Sequence, residues 1–233
     1  MSYLIVIPAY NEEATIGDVI LSIKKIEPGM DVLVVNDGSS DRTSEIAKTS
    51  GAKIIDIPYN IGYGGAIQTG FRFAVDYNYD YVITMDGDGQ HEPESIKSLI
   101  EVMEAKKVDV VIGSRFLEGN YSMGLARRLG SWIFSQIAKL YTGVRISDPT
   151  SGFQIYNRRA FTYLSLGDNY PLDYPDVNLI MSLHRMNFQL TEAPVKMTVK
   201  EGKSMHSGLK PLFYIFRMIL AIILVLLYKE EEK

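Results

Sequence analysis

Residues 85–91 read MDGDGQH, with Asp86 and Asp88 two apart where the apolar run Tyr81 to Met85 gives out. Carboxylates this close repel each other unless a cation, a proton or a group of donors sits between them. A hard divalent cation, Mg²⁺ or Mn²⁺, relieves the repulsion. It takes one or two carboxylates and leaves positions open for phosphate oxygens. The chemistry expected of Asp86-Gly87-Asp88 is neutralisation of charge on a phosphate-bearing molecule. Other uses fail on spacing. DGDGQHEPESIK starts like a calcium loop, but His91 stands where the turn glycine belongs and Lys97 where the bidentate acid belongs. The histidines at 91, 184 and 206 have no metal-ligand spacing, and His91 is expected outside any first coordination shell. There is no GxxxxGK[ST] loop, and NIGYGGA lacks the full dinucleotide fingerprint.

Such a loop needs strands to hold it. Apolar runs at 4–7 (LIVI), 32–37 (VLVVND), 53–57 (KIIDI), 81–85 (YVITM) and 108–114 (VDVVIGS) read as strands. Apolar residues at helical spacing, such as Ile16, Val19, Ile20 and Ile23, fill the intervals at about 13–26, 44–48, 66–76 and 93–105. Continuous apolar strands alternating with helices predict an α/β fold with a mostly parallel central sheet covered on both faces. The second half is less regular, with helices expected at 127–141 and 174–186 and strands at 151–156 and 188–199. In open α/β sheets, ligands bind beyond the carboxyl ends of the strands. Three acid-bearing loops fall there: PAYNEE, NDGSSD and DGDGQH. Each alone is also ordinary turn chemistry, and it is their shared sheet edge that points to a site.

Composition sets the limits. The chain has 233 residues, 46% hydrophobic, enough for one well-cored domain. A net charge of −4 argues against a nucleic-acid partner. The absence of cysteine removes disulfides, thiolate metal sites and a thiol nucleophile. The N-terminus, MSYLIVIPAYNEE, lacks the basic start and long apolar stretch of a secretory signal. Residues 212–228 read LFYIFRMILAIILVLLY, a run that spans about 25 Å as a helix against a hydrocarbon core of roughly 30 Å. A buried core helix is one reading. The flanking Lys210 and Lys229, with Arg217 near one end, favour a helix lying in the cytoplasmic leaflet, completed by a small membrane-protein partner or a second copy. The expected division is a catalytic domain over 1–208 and a membrane-associating hydrophobic helix with charged tail over 209–233.

VIPAYNEE, VVNDGSSDRT, NIGYGGAIQTG, MDGDGQH, GSRF and DPTSGFQIY follow one another in this order. Together they resemble family-2 glycosyltransferases of the GT-A fold, and within them the polyprenyl-phosphate transferases typified by dolichyl-phosphate mannose synthase and its bacterial undecaprenyl-phosphate relatives. The resemblance covers about residues 3–210. It implies a nucleotide-sugar donor, a divalent metal, inversion at the anomeric carbon and a lipid-phosphate acceptor. Carried onto this sequence, Pro8, Ala9, Tyr10 and Glu12 would cradle base and ribose, and Asp37 with Gly38 would meet the base. Asp86, Gly87 and Asp88 would take metal and diphosphate, with Gln90 beside the metal.

A phosphate acceptor is already ionised, so it needs positioning and charge neutralisation rather than a general base, and arginine forks supply both. Arg115 follows the fifth strand directly. Arg127 and Ser131 match an Arg-x-x-x-Ser pattern by which family members hold the lipid phosphate. Arg128, Arg145, Arg158 and Arg159 are further candidates. Asp148 and Asp176 fall where relatives place acids near the acceptor, and each reads equally as a base, an orienting carboxylate or a turn and cap residue. Near the C-terminus relatives carry a basic residue followed by Gly-x-Ser-Lys in a closing loop. Here Lys200, Gly202 and Ser204 match, Met205 replaces the lysine, and Lys203 lies nearby.

The resulting expectation is an inverting, metal-dependent hexosyltransferase on the cytoplasmic face of the membrane, for cell-wall or surface-glycan assembly. Its donor would be a UDP- or GDP-sugar and its acceptor polyprenyl phosphate. A family-2 transferase elongating a glycan would need a true base at Asp148 or Asp176. A nucleotidyltransferase would need a GxGTR-type loop after the first strand, which PAYNEE is not. A non-catalytic nucleotide-binding protein accords poorly with an intact acid pair.

Overall fold

The computed structural model describes residues 1–117, 125–172, 175–198 and 220–225, with the backbone alone at 125–129. In chain order the elements are β1 (Tyr3–Ala9), α1 (Ile16–Ile26), β2 (Asp31–Asp37), α2 (Thr43–Thr49), β3 (Lys53–Ile57), α3 (Tyr63–Asp76) and β4 (Tyr81–Thr84). A 3₁₀ turn (Pro93–Ser95) leads into α4 (Ile96–Lys106) and β5 (Val110–Ser114). Then come α5 (Leu125–Thr142), β6 (Gln154–Asn157), α6 (Arg158–Leu164), α7 (Val177–Arg185) and β7 (Leu190–Pro194).

The strands form one sheet in the order β3-β2-β1-β4-β6-β5-β7. β1 pairs in parallel with β2 and β4, β2 with β3, and β5 with β7. Only β6 runs against its neighbours, with Thr84 opposite Gln154 and Tyr81 opposite Asn157. The expected mostly parallel sheet is therefore observed, with one strand reversed inside it.

The unbroken apolar strands are explained by two cores, one on each face. Leu4 and Val6 of β1 and Leu33 and Val35 of β2 pack with Ile67 and Phe71 of α3 and with α6 and α7. The alternate residues Ile5, Ile7, Val32 and Val34 pack with Ile16, Val19, Ile20 and Ile23 of α1 and Leu99 of α4. Because successive strand side chains face opposite ways, both faces must be apolar. Each fully buried aliphatic side chain contributes roughly 1.5–3 kcal/mol. Close packing demands a glycine at position 70, where a Cβ would come within 2.3 Å of Val6 Cγ1.

One element is added to the expected set and one expectation is corrected. The turn of helix at Arg158–Leu164 was not foreseen, although Asn157 is its N-cap and accepts a 2.9 Å bond from the Ala160 amide. Arg158 and Arg159, proposed as phosphate ligands, lie beyond Asn157 at the opposite end of the sheet from the acid loops, because β6 is reversed. There Arg159 pairs with Asp109 at 2.8 Å, and Arg158 donates to Asn78 at 2.7 Å. Arg159 is half-exposed, so Arg159→Ala should cost at most about 1 kcal/mol in denaturant titration and leave catalytic constants unchanged.

In 220–225, a short helical stretch of the apolar C-terminal run, Ile222 is buried against the core and the Val225 carbonyl accepts a bond from Arg185 Nη1 at 3.1 Å. Leu220, Ile223 and Leu224 are exposed. The boundary expected at 208/209 lies outside the described residues. Among the described residues no helix is long and apolar enough to cross a membrane.

Candidate active site

The three acidic loops after β1, β2 and β4 meet at one edge of the sheet and are tied to one another. Asn11 N donates to Ser39 Oγ, Ser40 N donates to Asn11 Oδ1, Glu12 N to Thr43 Oγ1 and Glu13 N to Asp41 Oδ2. Thr15 Oγ1 donates to the Gly87 carbonyl at 2.8 Å, joining the first loop to the third, with Glu12 Oε2 3.0 Å away. Small polar residues serve here because their side chains reach backbone groups of a neighbouring turn.

Within this edge, Pro8 and Ala9 close β1, Tyr10 is exposed, and Glu12 is half-buried. Asp37 is buried. Its two oxygens accept from Ile61 N at 2.8 Å and Gly62 N at 2.9 Å, so it holds the loop after β3 closed. Gly38, at φ 71°, permits that closure, since a Cβ would lie 2.7 Å from the backbone of Tyr59 and Asn60. The carboxylate keeps lone pairs for a further donor.

Asp86 is half-buried between two donors. His91 Nε2 faces Oδ2 at 3.2 Å, and Tyr63 Oη donates to Oδ1 at 3.2 Å. Burial pushes this carboxyl upward, but the bonds from His91 and Tyr63 and the charge of nearby Arg115 outweigh it and hold it below the usual carboxylate range. Asp88 accepts from the backbone and side-chain nitrogens of Gln90, the former at 2.9 Å. Gln90 thus comes to the acid pair as a brace for Asp88. The buried His91 ring lies against Phe153, and its Nδ1 is without a hydrogen-bond partner among the described residues.

Among the described residues no group of three His, Asp or Glu side chains is arranged to hold a metal unaided. Two carboxylates with lone pairs remaining, one of them kept ionised, nonetheless fit a hard cation that fills its shell with phosphate oxygens and water. Such a cation supplies Lewis-acid stabilisation to a departing diphosphate.

On the far side stands Arg115, directly after β5. Its Nε and Nη2 reach the two oxygens of Asp148 at 2.6 Å each, and its own N–H adds a third bond at 3.1 Å. Asp148 is fully buried. Thr150 accepts from Nη2 at 3.2 Å, and Met197 Sδ lies 3.7 Å from Nη1. Arg115 is within electrostatic reach of Asp86, so the structure brings the two halves of the edge together. Behind Asp148, Glu192 of β7 accepts from Ser147 N and Asp148 N at 2.7 and 2.9 Å. Burial pushes its carboxyl above the usual range against these bonds.

Asp176 occupies the N-cap position of α7 but makes no side-chain cap bond. It lies within electrostatic reach of Tyr63 and Tyr170, which brings it to the Asp86 side of the edge. Ser131 of α5 is buried, and its Oγ has no hydrogen-bond partner among the described residues. Arg127 falls on α5 with its side chain outside the described residues, as does that of Arg128. Lys200, Gly202, Lys203, Ser204 and Met205 are outside them too. The described chain ends before that segment at Thr198, whose N–H donates to the Gln90 carbonyl at 2.8 Å. Arg145 is exposed.

Sequence reasoning gives no role to Tyr63, Gly152, Thr150 and Glu192, and sets His91 outside any first coordination shell. The Gly-rich NIGYGGA was a signal for the first. Gly64 lets the start of α3 lie against Pro171 and Leu172, and Tyr63 then reaches Asp86. Gly152 is required by close approach, since a Cβ there would be 2.7 Å from Tyr63 Oη and 2.9 Å from Asp86 Oδ1. Gly152→Ala should therefore cost about 10²-fold in kcat/KM through misplacement of Asp86, with a nearly unchanged melting temperature.

The sequence pattern of glycosyl transferase family 2 matches residues 4–164. An uncharacterized protein of Methanocaldococcus jannaschii is 33% identical over 217 residues, covering 90% of this chain and 88% of the relative. The undecaprenyl-phosphate mannosyltransferase of Micrococcus luteus is 30% identical over 217 residues, covering 89% and 88%. Among solved structures, glucosyl-3-phosphoglycerate synthase from Mycobacterium tuberculosis, in complex with Mn²⁺, uridine diphosphate and phosphoglyceric acid, superposes with a TM-score of 0.69 at 18% identity. That match covers 99% of this chain and 80% of the other, and it shows the shared GT-A-like fold. Six ordered motifs, the sheet they edge and a family pattern spanning most of the chain agree: the chain belongs to glycosyl transferase family 2 and is a glycosyltransferase.

Proposed function

We propose that this enzyme transfers a hexose-type sugar from a nucleotide sugar to a polyprenyl phosphate at a membrane surface, with inversion. The observation that carries the reading is the state of Asp148. Fully buried and bound through both oxygens to Arg115, it is a poor base for a hydroxyl acceptor. A phosphate acceptor needs no base, and it needs a fixed cation. Relatives named for lipid-phosphate acceptors, the Micrococcus enzyme and a dolichyl-phosphate hexose transferase of Haloferax volcanii, support the same acceptor class.

In this reading Pro8, Ala9, Tyr10, Glu12, Asp37 and Gly38 receive the nucleoside. Asp86, Gly87 and Asp88 face the diphosphate and, with Gln90, would hold Mg²⁺ or Mn²⁺. Arg115 draws the acceptor phosphate in, with Arg127 and the Ser131 hydroxyl as further donors and Lys200 and Ser204 closing over the donor. Trp132, Ile133 and Leu140 of α5 are exposed at 59%, 43% and 91%, which suits a helix resting on lipid. The exposed Leu220, Ile223 and Leu224 suit the same surface, on the cytoplasmic side.

The test supplies the detergent-solubilised enzyme with polyprenyl phosphate, Mn²⁺ and radiolabelled UDP- and GDP-sugars. Label is expected in the organic phase, and transfer only to water-soluble glycans overturns the reading. Elongation of a glycan is the second reading, favoured by one observation: Asp176, unlike the fully buried Asp148, is half-buried and lies on the Asp86 side of the edge. It predicts that Asp176→Asn abolishes turnover while Asp148→Asn does so only through Arg115.

A further inference from the structure

We infer that Glu192 is a positioning residue for the transfer reaction, holding both members of the Arg115–Asp148 pair from one carboxylate. The inference rests on the proposed role of Arg115 at the reacting phosphates. It does not depend on which acceptor carries the phosphate.

Glu192 lies on β7, in register with Ile112 of β5, two residues before the pair Ser114–Pro194. It therefore sits beside the strand whose end launches Arg115. Its Oε1 takes the N–H groups of Ser147 and Asp148 at 2.7 and 2.9 Å, so the backbone on which Asp148 is mounted is bent around this oxygen. The Ser147 hydroxyl lies 3.0 Å from both Glu192 oxygens and 2.7 Å from the Ser114 hydroxyl, and Ser114 Oγ in turn accepts from Phe116 N at 3.3 Å.

Hydrogen-bond polarity gives this chain a direction. Ser147 Oγ–H points to Glu192, and with that one proton spent Ser114 Oγ–H points to Ser147. The residues immediately before and after Arg115 are thus referred to the same group that anchors Asp148. The guanidinium spends Nε and Nη2 on Asp148, so its remaining edge points wherever that carboxylate sets it. A shift in the 147–148 turn becomes a shift of the cation. Glu192 touches neither Asp86 nor Asp88 among the described contacts, and its influence passes through the Ser147–Asp148 turn and the Ser114 hydroxyl.

The test is a double-mutant cycle on the full chain. Arg115→Ala is measured first, then Glu192→Ala, then the two together, with kcat and KM for donor and acceptor in each. Glu192→Ala is expected to lower kcat/KM by about 10²-fold, the cost of displacing a catalytic group by an ångström. Because it acts through Arg115, the double variant should lose no more than Arg115→Ala within about twofold. Glu192→Gln keeps an oxygen for the two amides and should retain most of the activity. If Glu192→Ala does not fold, Glu192→Asp, shorter by one methylene, takes its place in the cycle. Additive losses in the double variant, or wild-type rates in the Glu192 variants, overturn the proposal. Wild-type rates in Arg115→Ala overturn the reading of Arg115 itself, and the positioning role with it.

Discussion

Asp86→Asn should lower kcat by about 10³-fold while leaving the protein folded. The side chain keeps its size and can still accept from Tyr63. It loses the charge that His91, Tyr63 and Arg115 hold in place. Isothermal titration separates the consequences. In the wild type, Mn²⁺ should tighten binding of the nucleoside diphosphate, while the nucleoside alone binds equally with and without metal. In Asp86→Asn the metal-dependent tightening should vanish and nucleoside binding should persist. Undiminished tightening by Mn²⁺ would remove Asp86 from the metal site.

The second large effect concerns the buried ion pair, and it divides stability from activity. Arg115 is 12% exposed and Asp148 not at all, so Asp148→Asn leaves a guanidinium in a low-dielectric pocket without its counter-charge. Breaking such a pair costs about 3–5 kcal/mol, which in a protein of this size lowers the melting temperature by ~10 °C. Replacing both partners by apolar residues, as in Arg115→Met with Asp148→Leu, should return most of that loss, since the pair's own desolvation cost is also removed. Activity should not return with it. A double variant that melts like the wild type and turns over normally would make the pair purely structural.

Much of this edge could be read in advance because its information is local. β1, β2 and β4 announce themselves as apolar runs, and each ends in a turn rich in Asp, Asn and Gly. What is local in sequence was visible, including the acid pair and the arginine after β5. What depends on chain reversal was not. Arg158 and Arg159 looked like phosphate ligands until β6 proved antiparallel and carried them to the far end. Asp148 had three open readings because its partner is 33 residues away. The bond that pairs it with Arg115 appears only when the strands of the second half are side by side. Glu192 carried no signal in the sequence, and His91 read only as lying outside a coordination shell, because second-layer contacts leave no spacing signature. The Gly-rich segment reads against a dinucleotide fingerprint it does not fit, when its Gly64 serves the close packing that delivers Tyr63.

The reversed strand has a consequence for how the molecule is made. The block β3-β2-β1-β4 is complete at residue 84 and contains only parallel neighbours and short crossovers. β6 must then add to it from 70 positions downstream, with Thr84 opposite Gln154. Domains assemble from the N-terminus as the ribosome delivers them, and pairings of long sequence separation come last. The first three acid loops can therefore be in place while the arginine side of the edge is still emerging. Until residue 154 arrives, β4 is an open edge, and the nascent chain carries its greatest risk of pairing with a neighbour in that interval.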